Sequence, residues 1–236
     1  MNVLTRSVAS FWNSSIGKKF IVAFTGIVLV LFLAGHLGGN LVVFMGPEPF
    51  NAYAYFLHHM VHGVGIWMFR GVMLVCLVLH VAATIQLTLQ NRAARTQYEC
   101  QATIQASKPS LTMVLTGLTV LAFVVYHLLH FTTRSFFDAS IYTIANAPHG
   151  EPNYDAWQMV VDQFHIWYVT AAYVIAVSLL CSHLAHGVAS IFQTLGLRTK
   201  KNSCLIDTVG LAYALVIWLG FISIPLAILI GLVGKH

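Results

Sequence analysis

The chain has 236 residues, of which 58% are hydrophobic and only 8% charged, whereas a soluble domain carries roughly 25% charged residues. That balance excludes an ordinary water-soluble enzyme and points to an all-α integral membrane protein. The net charge of +5 comes with no feature suited to nucleic acid, and the twelve histidines, as many as all the Lys and Arg together, form the second anomaly.

In chain order, residues 1–19 include "RSVASFWNSSIGKKF", where Phe11 and Trp12 stand among Ser, Asn and Lys. This suits an N-terminal segment lying at the membrane interface in contact with lipid. Five apolar runs follow, near 20–44, 64–90, 110–135, 162–192 and 207–233. Each can cross ~30 Å of hydrocarbon, which takes about 20 residues of helix, and they are numbered here as spans I to V. Span I follows basic residues as a signal peptide would, but it outruns the roughly 7–15 residues of such a segment and lacks a small-residue cleavage site, so it is expected to be retained. The connection between spans I and II carries Glu48, His58, His59 and His62. The stretch "ANAPHGEPNYD", Ala145 to Asp155, reads as an irregular cap over spans III and IV. The whole chain, 1–236, reads as one domain with no soluble module.

Basic residues set the orientation, because cytoplasmic loops retain Lys and Arg. Arg6, Lys18, Lys19, Arg92, Arg95, Lys108, Arg198, Lys200 and Lys201 fall on one side, nine of the twelve. Arg70, Arg134 and Lys235 fall on the other, with Glu48, Asp138, Glu151, Asp155 and Asp162. The N-terminus is therefore expected in the cytoplasm and the C-terminus outside. Such a basic cytoplasmic face could also dock an acidic partner or anionic lipid. Cys76 and Cys181 lie within spans and Cys100 and Cys204 in cytoplasmic loops, so no disulfide is expected. No C-x-x-C pair for zinc and no C-x-x-C-H for covalent haem is present.

The histidines sort by depth. His58, His59, His62, His149 and His236 fall in outer loops or at their edges, and His165 just inside the start of span IV. His36, His80, His127, His130, His183 and His186 sit within spans, where an ionisable group is costly and marks function by default. A single such histidine is commonly an interhelical hydrogen bond worth roughly 1 kcal/mol. Six on four consecutive spans follow a pattern instead. His36 lies 17 residues beyond Lys19 and His127 lies 19 beyond Lys108, roughly 25–28 Å from the cytoplasmic ends. His80 is 12 residues before Arg92 and His183 is 15 before Arg198, roughly 18–22 Å from those ends. Two pairs at two depths, drawn from alternate helices of a four-helix bundle formed by spans I–IV, suit bis-histidine ligation of two b-type haems. Zinc or di-iron sites would need Cys, Asp or Glu nearby, and the spans hold almost none.

The doublets His127/His130 and His183/His186 leave a choice, since residues three apart share a helix face. Thr25–Gly26 stands eleven and ten residues before His36, and Thr116–Gly117 at the same offsets before His127. Eleven residues is close to three turns, so each threonine lies under its histidine, about 16 Å toward the cytoplasm, where small residues leave room for the edge of a second haem. The parallel favours His127 over His130. Ala172 at the matching place before His183, against Ile175 before His186, favours His183. His130 and His186 then line a haem, hold a propionate or orient a neighbour.

The stretches "SSIGKKFIVAFTG", "LAGHLGGNL", "FNAYAYFLHH", "LHVAATIQLTLQNRAAR", "YHLLHFT" and "HLAHGVASIFQTLG" together resemble the membrane anchor of succinate dehydrogenases and fumarate reductases. The closer resemblance is to the b558-type single-subunit anchor with five helices and two haems, over nearly the whole chain. It implies one axial histidine on each of spans I to IV, matching His36 and His127 for the outer haem and His80 and His183 for the cytoplasmic-side haem. It also implies a flavoprotein with covalent FAD and an iron–sulfur subunit on the cytoplasmic face, quinone (in this branch usually menaquinone) as the electron partner, and a bacterial inner membrane location. A dimer of such complexes is compatible with span V, which lacks a histidine and is free to pack outside the bundle. Glu48, His58, His59 and His62 are the candidates for proton exchange at an outer quinone site. Some dihaem fumarate reductases carry a glutamate two residues before the span IV ligand; here that place is Cys181, which brings no carboxylate. The second reading is a dihaem cytochrome b of a hydrogenase or formate dehydrogenase. A non-redox proton-coupled transporter is the third, and it would need intramembrane acids or broken-helix repeats.

Overall fold

The computed structural model describes residues 3–93, 108–144 and 153–234, and these are overwhelmingly helical. Five helices are long and apolar enough to cross a membrane, the architecture of a multi-pass membrane protein. In chain order the helices are α1 (Val3–Asn13), α2 (Ser15–Leu41), α3 (Pro47–His59), α4 (Val64–Ala93), α5 (Lys108–His127), α6 (Ala156–His165), α7 (Trp167–Thr194) and α8 (Ser203–Leu229). Spans I to V correspond to α2, α4, α5, α7 and α8. Arg95, Cys100, residues 145–152 of the cap with His149 and Glu151, and Lys235 and His236 lie outside the described residues.

The N-terminal segment forms helix α1, which turns into α2 at Ser14. The Ser14 hydroxyl accepts from the Gly17 amide at 2.9 Å, satisfying one of the free donors of a helix start. A Cβ at Gly17 would collide with the Phe11 carbonyl, so the close fold of α1 onto α2 needs glycine there. Lys18 is buried beside this turn and donates to the Asn13 carbonyl at 3.2 Å. This defines the basic end of the molecule.

The connection between α2 and α4 is not a loop, as the sequence suggested, but a helix in its own right. Gly46, with φ of +101°, reverses the chain. Pro47 then occupies the first turn of α3, where its missing N–H has no intrahelical partner to lose. A left-handed run at Val61, His62 and Gly63 turns α3 back into α4. Span IV also differs from its sequence reading of 162–192. Extended Ile166 interrupts it, and the Thr170 hydroxyl takes the Phe164 carbonyl at 2.7 Å, so α6 ends at His165 and α7 begins at Trp167. His165 is consequently exposed at the end of α6 rather than inside a span.

At the end opposite the basic one, α3 and α6 form a cap. Asn51 ties them together, donating to Asp155 Oδ1 at 2.9 Å and accepting from the Trp157 amide at 3.0 Å. Asp155 also caps α6 by accepting from the Gln158 amide at 2.9 Å. The Trp157 indole is 4% exposed and donates to the Val43 carbonyl at 3.0 Å. Thr143–Ile144 pairs antiparallel with Asn153–Tyr154 beside it. A second apolar cluster joins α2, α7 and α8, with Leu37, Cys181, Ala214 and Ile217 at its centre. There α8 packs along α7 and on α2, donating from Trp218 Nε1 to Ser178 Oγ at 2.9 Å and from the Tyr213 hydroxyl to the Val30 carbonyl. Meanwhile Val72, Leu74, Val75 and Val78 of α4 are exposed, the surface that hydrocarbon would cover.

Candidate functional site

Four of the six histidines of the spans meet in two pairs at two levels. On the far level, His36 of α2 faces His127 of α5 with ring centroids 5.8 Å apart and an interplanar angle of 79°. Two imidazoles from facing helices thus come close enough for a single group bound between α2 and α5 to take a nitrogen from each. Open space helps: a Cβ at Gly35 or Gly38, flanking His36, would meet nothing within 4 Å. Phe32, stacked on His36 at 5.1 Å, and Phe221, at 5.7 Å, bound the ring with apolar surface.

The level nearer the basic end holds His80 of α4 and His183 of α7, within electrostatic reach of one another. The two Thr–Gly dipeptides belong here, and the small residues make room for imidazole rings of neighbouring helices. A Cβ at Gly26 would lie 3.6 Å from His80 Cε1, and one at Gly117 would lie 3.3 Å from His183 Cε1. Thr25 Oγ1 is 3.0 Å from His80 Nδ1, and Thr116 Oγ1 is 3.4 Å from His183 Nδ1. Each threonine directs its own proton to a backbone carbonyl, Thr25 to Ile21 at 2.7 Å and Thr116 to Met113 at 3.2 Å. The hydroxyl oxygens can then accept an N–H from Nδ1 of each ring, the tautomer that keeps the Nε2 lone pair for a metal.

The partners of the doublets differ. His130 is 1% exposed and both its nitrogens are engaged, Nδ1 with the Tyr173 hydroxyl at 3.0 Å and Nε2 with Gln163 Oε1 at 3.0 Å. It has no nitrogen left for a metal. A π-helical turn at Leu128–Thr132 closes α5 and carries His130 into the far-end cap, away from the interhelical face of His127. His186 is half-buried and lies toward the Arg198–Asp207 ion pair of 2.8 Å at the basic end.

Glu48, His58, His59 and His62 are all exposed at the far end. Glu48 opens α3 while His58 and His59 close it, which separates them by about 15 Å at 1.5 Å per residue. His59 stacks on Tyr55 and bonds the Tyr55 carbonyl at 2.9 Å. Partial burial, with Arg70, Arg134 and His59 nearby, holds His58 below the usual histidine range. Burial, and to a smaller degree the Asp162 carboxylate, raises the Tyr142 phenol to about 12. Sequence reasoning missed Tyr173, Gln163 and Asn40, the last of which stands 3.3 Å from His36 Nδ1 and donates to the His36 carbonyl at 2.7 Å. Asn40 sits one turn beyond His36 in the sequence, a spacing that could have revealed it.

Among the described residues no three His, Cys, Asp or Glu side chains converge as the ligand set of a bare ion would; the histidines meet in pairs. Comparison of the chain with protein-family models, with curated proteins and with solved structures returns no match.

Proposed function

We propose that the chain is the membrane anchor and electron conduit of a succinate:quinone or quinol:fumarate oxidoreductase, carrying two b-type haems in a bundle of α2, α4, α5 and α7. The observation that carries the reading is the 5.8 Å pairing of His36 with His127 on one level, with His80 and His183 near one another on a second level. These residues fit haem: four imidazoles in pairs, apolar walls, and glycines where a macrocycle or a facing ring needs close approach. Bound haem supplies one-electron transfer, with potentials tuned by axial ligation, hydrogen bonding and burial.

The chain's own residues would do the rest. His36 and His127 would hold the outer haem, and His80 and His183 the cytoplasmic-side one. Thr25 and Thr116 lie beside Nδ1 of the second pair, and the far-end cap of α3 and α6 would cover the first pair from the outer side. The basic end, with Lys19, Arg198, Lys200 and Lys201, would face the cytoplasm of a bacterial inner membrane and meet the iron–sulfur and flavoprotein partners. Quinone, expected to be menaquinone, would bind toward the far end, where His58, His59, His62 and Glu48 are accessible to protons. The choice of dehydrogenase rests on the "GKKF", "LQNRAAR" and "FQTLG" stretches.

Two expectations follow from this reading. Substitution of Gly117 by Leu drives a branched side chain into the His183 ring, since even its Cβ would lie 3.3 Å from Cε1; one haem is lost while the other persists, measured as haem per protein. Adding succinate to the complex in its native membrane reduces b-type haem, seen as an absorbance change. Reduction by formate or hydrogen in place of succinate would assign the chain to the corresponding dehydrogenase instead.

A further inference from the structure

A line of polar groups leads from His127 to the surface of the far end. Tyr173 Oη lies 3.3 Å from His127 Nδ1 and 3.0 Å from His130 Nδ1, and His130 Nε2 lies 3.0 Å from Gln163 Oε1. The Gln163 side chain is a hydrogen-bond partner of the Tyr142 hydroxyl, which donates to Asp162 Oδ2 at 3.0 Å. Asp162 also accepts from the exposed Gln158 amide at 2.7 Å.

The donors and acceptors along this line admit one polarity. A carboxylate only accepts, so the Tyr142 proton points to Asp162 and the Tyr142 oxygen is left to accept. The part of Gln163 facing Tyr142 is then its NH2, which turns its carbonyl to His130. Gln163 Oε1 accepts from His130 Nε2–H, and a neutral imidazole carries a single N–H, so His130 Nδ1 is an acceptor. The one Tyr173 proton goes there. The Tyr173 oxygen consequently accepts from His127 Nδ1–H, and His127 Nε2 keeps its lone pair. Run in the opposite sense, the same groups would place a proton on His127 Nε2 and close it to a metal.

We propose that Asp162, through Tyr142, Gln163, His130 and Tyr173, sets the tautomer of His127 and enriches its ring in electron density as an axial ligand. The proposal rests on the reading of His127 as a haem ligand. It makes His130 and Tyr173 positioning residues, acting on the cofactor only through His127, in the way outer partners of metal-bound imidazoles fix ring orientation and basicity. It also explains why a buried histidine stands three residues from a ligand with neither nitrogen free.

The test uses the purified chain or its complex, with haem content from the pyridine haemochrome assay and both haem potentials from a spectroelectrochemical titration. Tyr173→Phe removes the acceptor of His127 Nδ1–H with little change of shape. The ligand becomes a poorer donor, and the potential of one haem shifts upward while the other stays at its parent value. Gln163→Glu places a carboxylate on His130 Nε2–H and shifts the same haem downward. Opposite shifts at one haem, with the other as internal control, are not produced by loosened packing. If Tyr173→Phe loses that one haem, Gln163→Glu decides: a downward shift of the same haem supports the proposal and an unmoved potential overturns it. Two haems retained with neither potential moved, or both variants shifting in the same direction, would overturn it. Absence of haem from the parent protein, measured first, would remove the underlying reading and this proposal with it.

Discussion

Replacing His80 with Ala is expected to lower the haem content of the chain from two to one, with the remaining haem keeping its spectrum. His80 Nδ1 lies 3.0 Å from Thr25 Oγ1 on α2, which holds the ring toward the level it shares with His183. On the proposed reading the substitution takes away one of the two imidazoles of this level and leaves His183 alone there. His183→Ala is expected to act on the same haem, since both histidines lie on the level nearer the basic end. His186→Ala should retain both haems, as its side chain lies toward Arg198 and Asp207. Haem content per protein, by pyridine haemochrome, checks all three variants. Loss of a haem from the His186 variant with retention in the His183 variant would exchange their roles.

The second large effect is on stability. Trp157 fastens the far-end cap to α2: it is 4% exposed, packs among Val43, Phe50 and Val160, and donates from Nε1 to the Val43 carbonyl at 3.0 Å. Trp157→Ala opens a large cavity and leaves that carbonyl without its partner. A loss of about 3–5 kcal/mol is expected from core substitutions of this size. Trp167, 70% exposed at the start of α7, provides the control, and its replacement by Ala should change stability by about 0.5 kcal/mol or less. Unfolding in detergent, followed by circular dichroism, measures both. Equal midpoints for the two variants would mean that the cap does not depend on the indole.

The five long helices were legible because a run of about 20 apolar residues is a property of composition and needs no knowledge of neighbours. The helix α3 was not, because Pro47, Glu48 and Pro49 resemble a connection; in fact Gly46 followed by Pro47 is also how a helix begins. The interruption at Ile166 carries neither glycine nor proline, and it depends on Thr170 reaching back to the Phe164 carbonyl. The two levels of histidine followed from counting residues along each helix. Which surfaces faced one another did not. The offsets of Thr25–Gly26 and Thr116–Gly117 place them on the second level, but only the folded chain shows that their contacts there are the rings of His80 and His183 on neighbouring helices. Tyr173 and Gln163 escaped notice for a related reason: a tyrosine in an apolar helix and a glutamine in a mixed segment acquire meaning only when folding brings His130 between them.

The central claim is that four histidines hold two haems, and a pyridine haemochrome assay with reduced-minus-oxidised spectra on the purified chain, or on its complex, addresses it most directly. The expected result is two protohaems per chain with low-spin b-type bands. An intact, folded preparation that contains no haem would contradict the account and return the six membrane histidines to helix packing or proton transport.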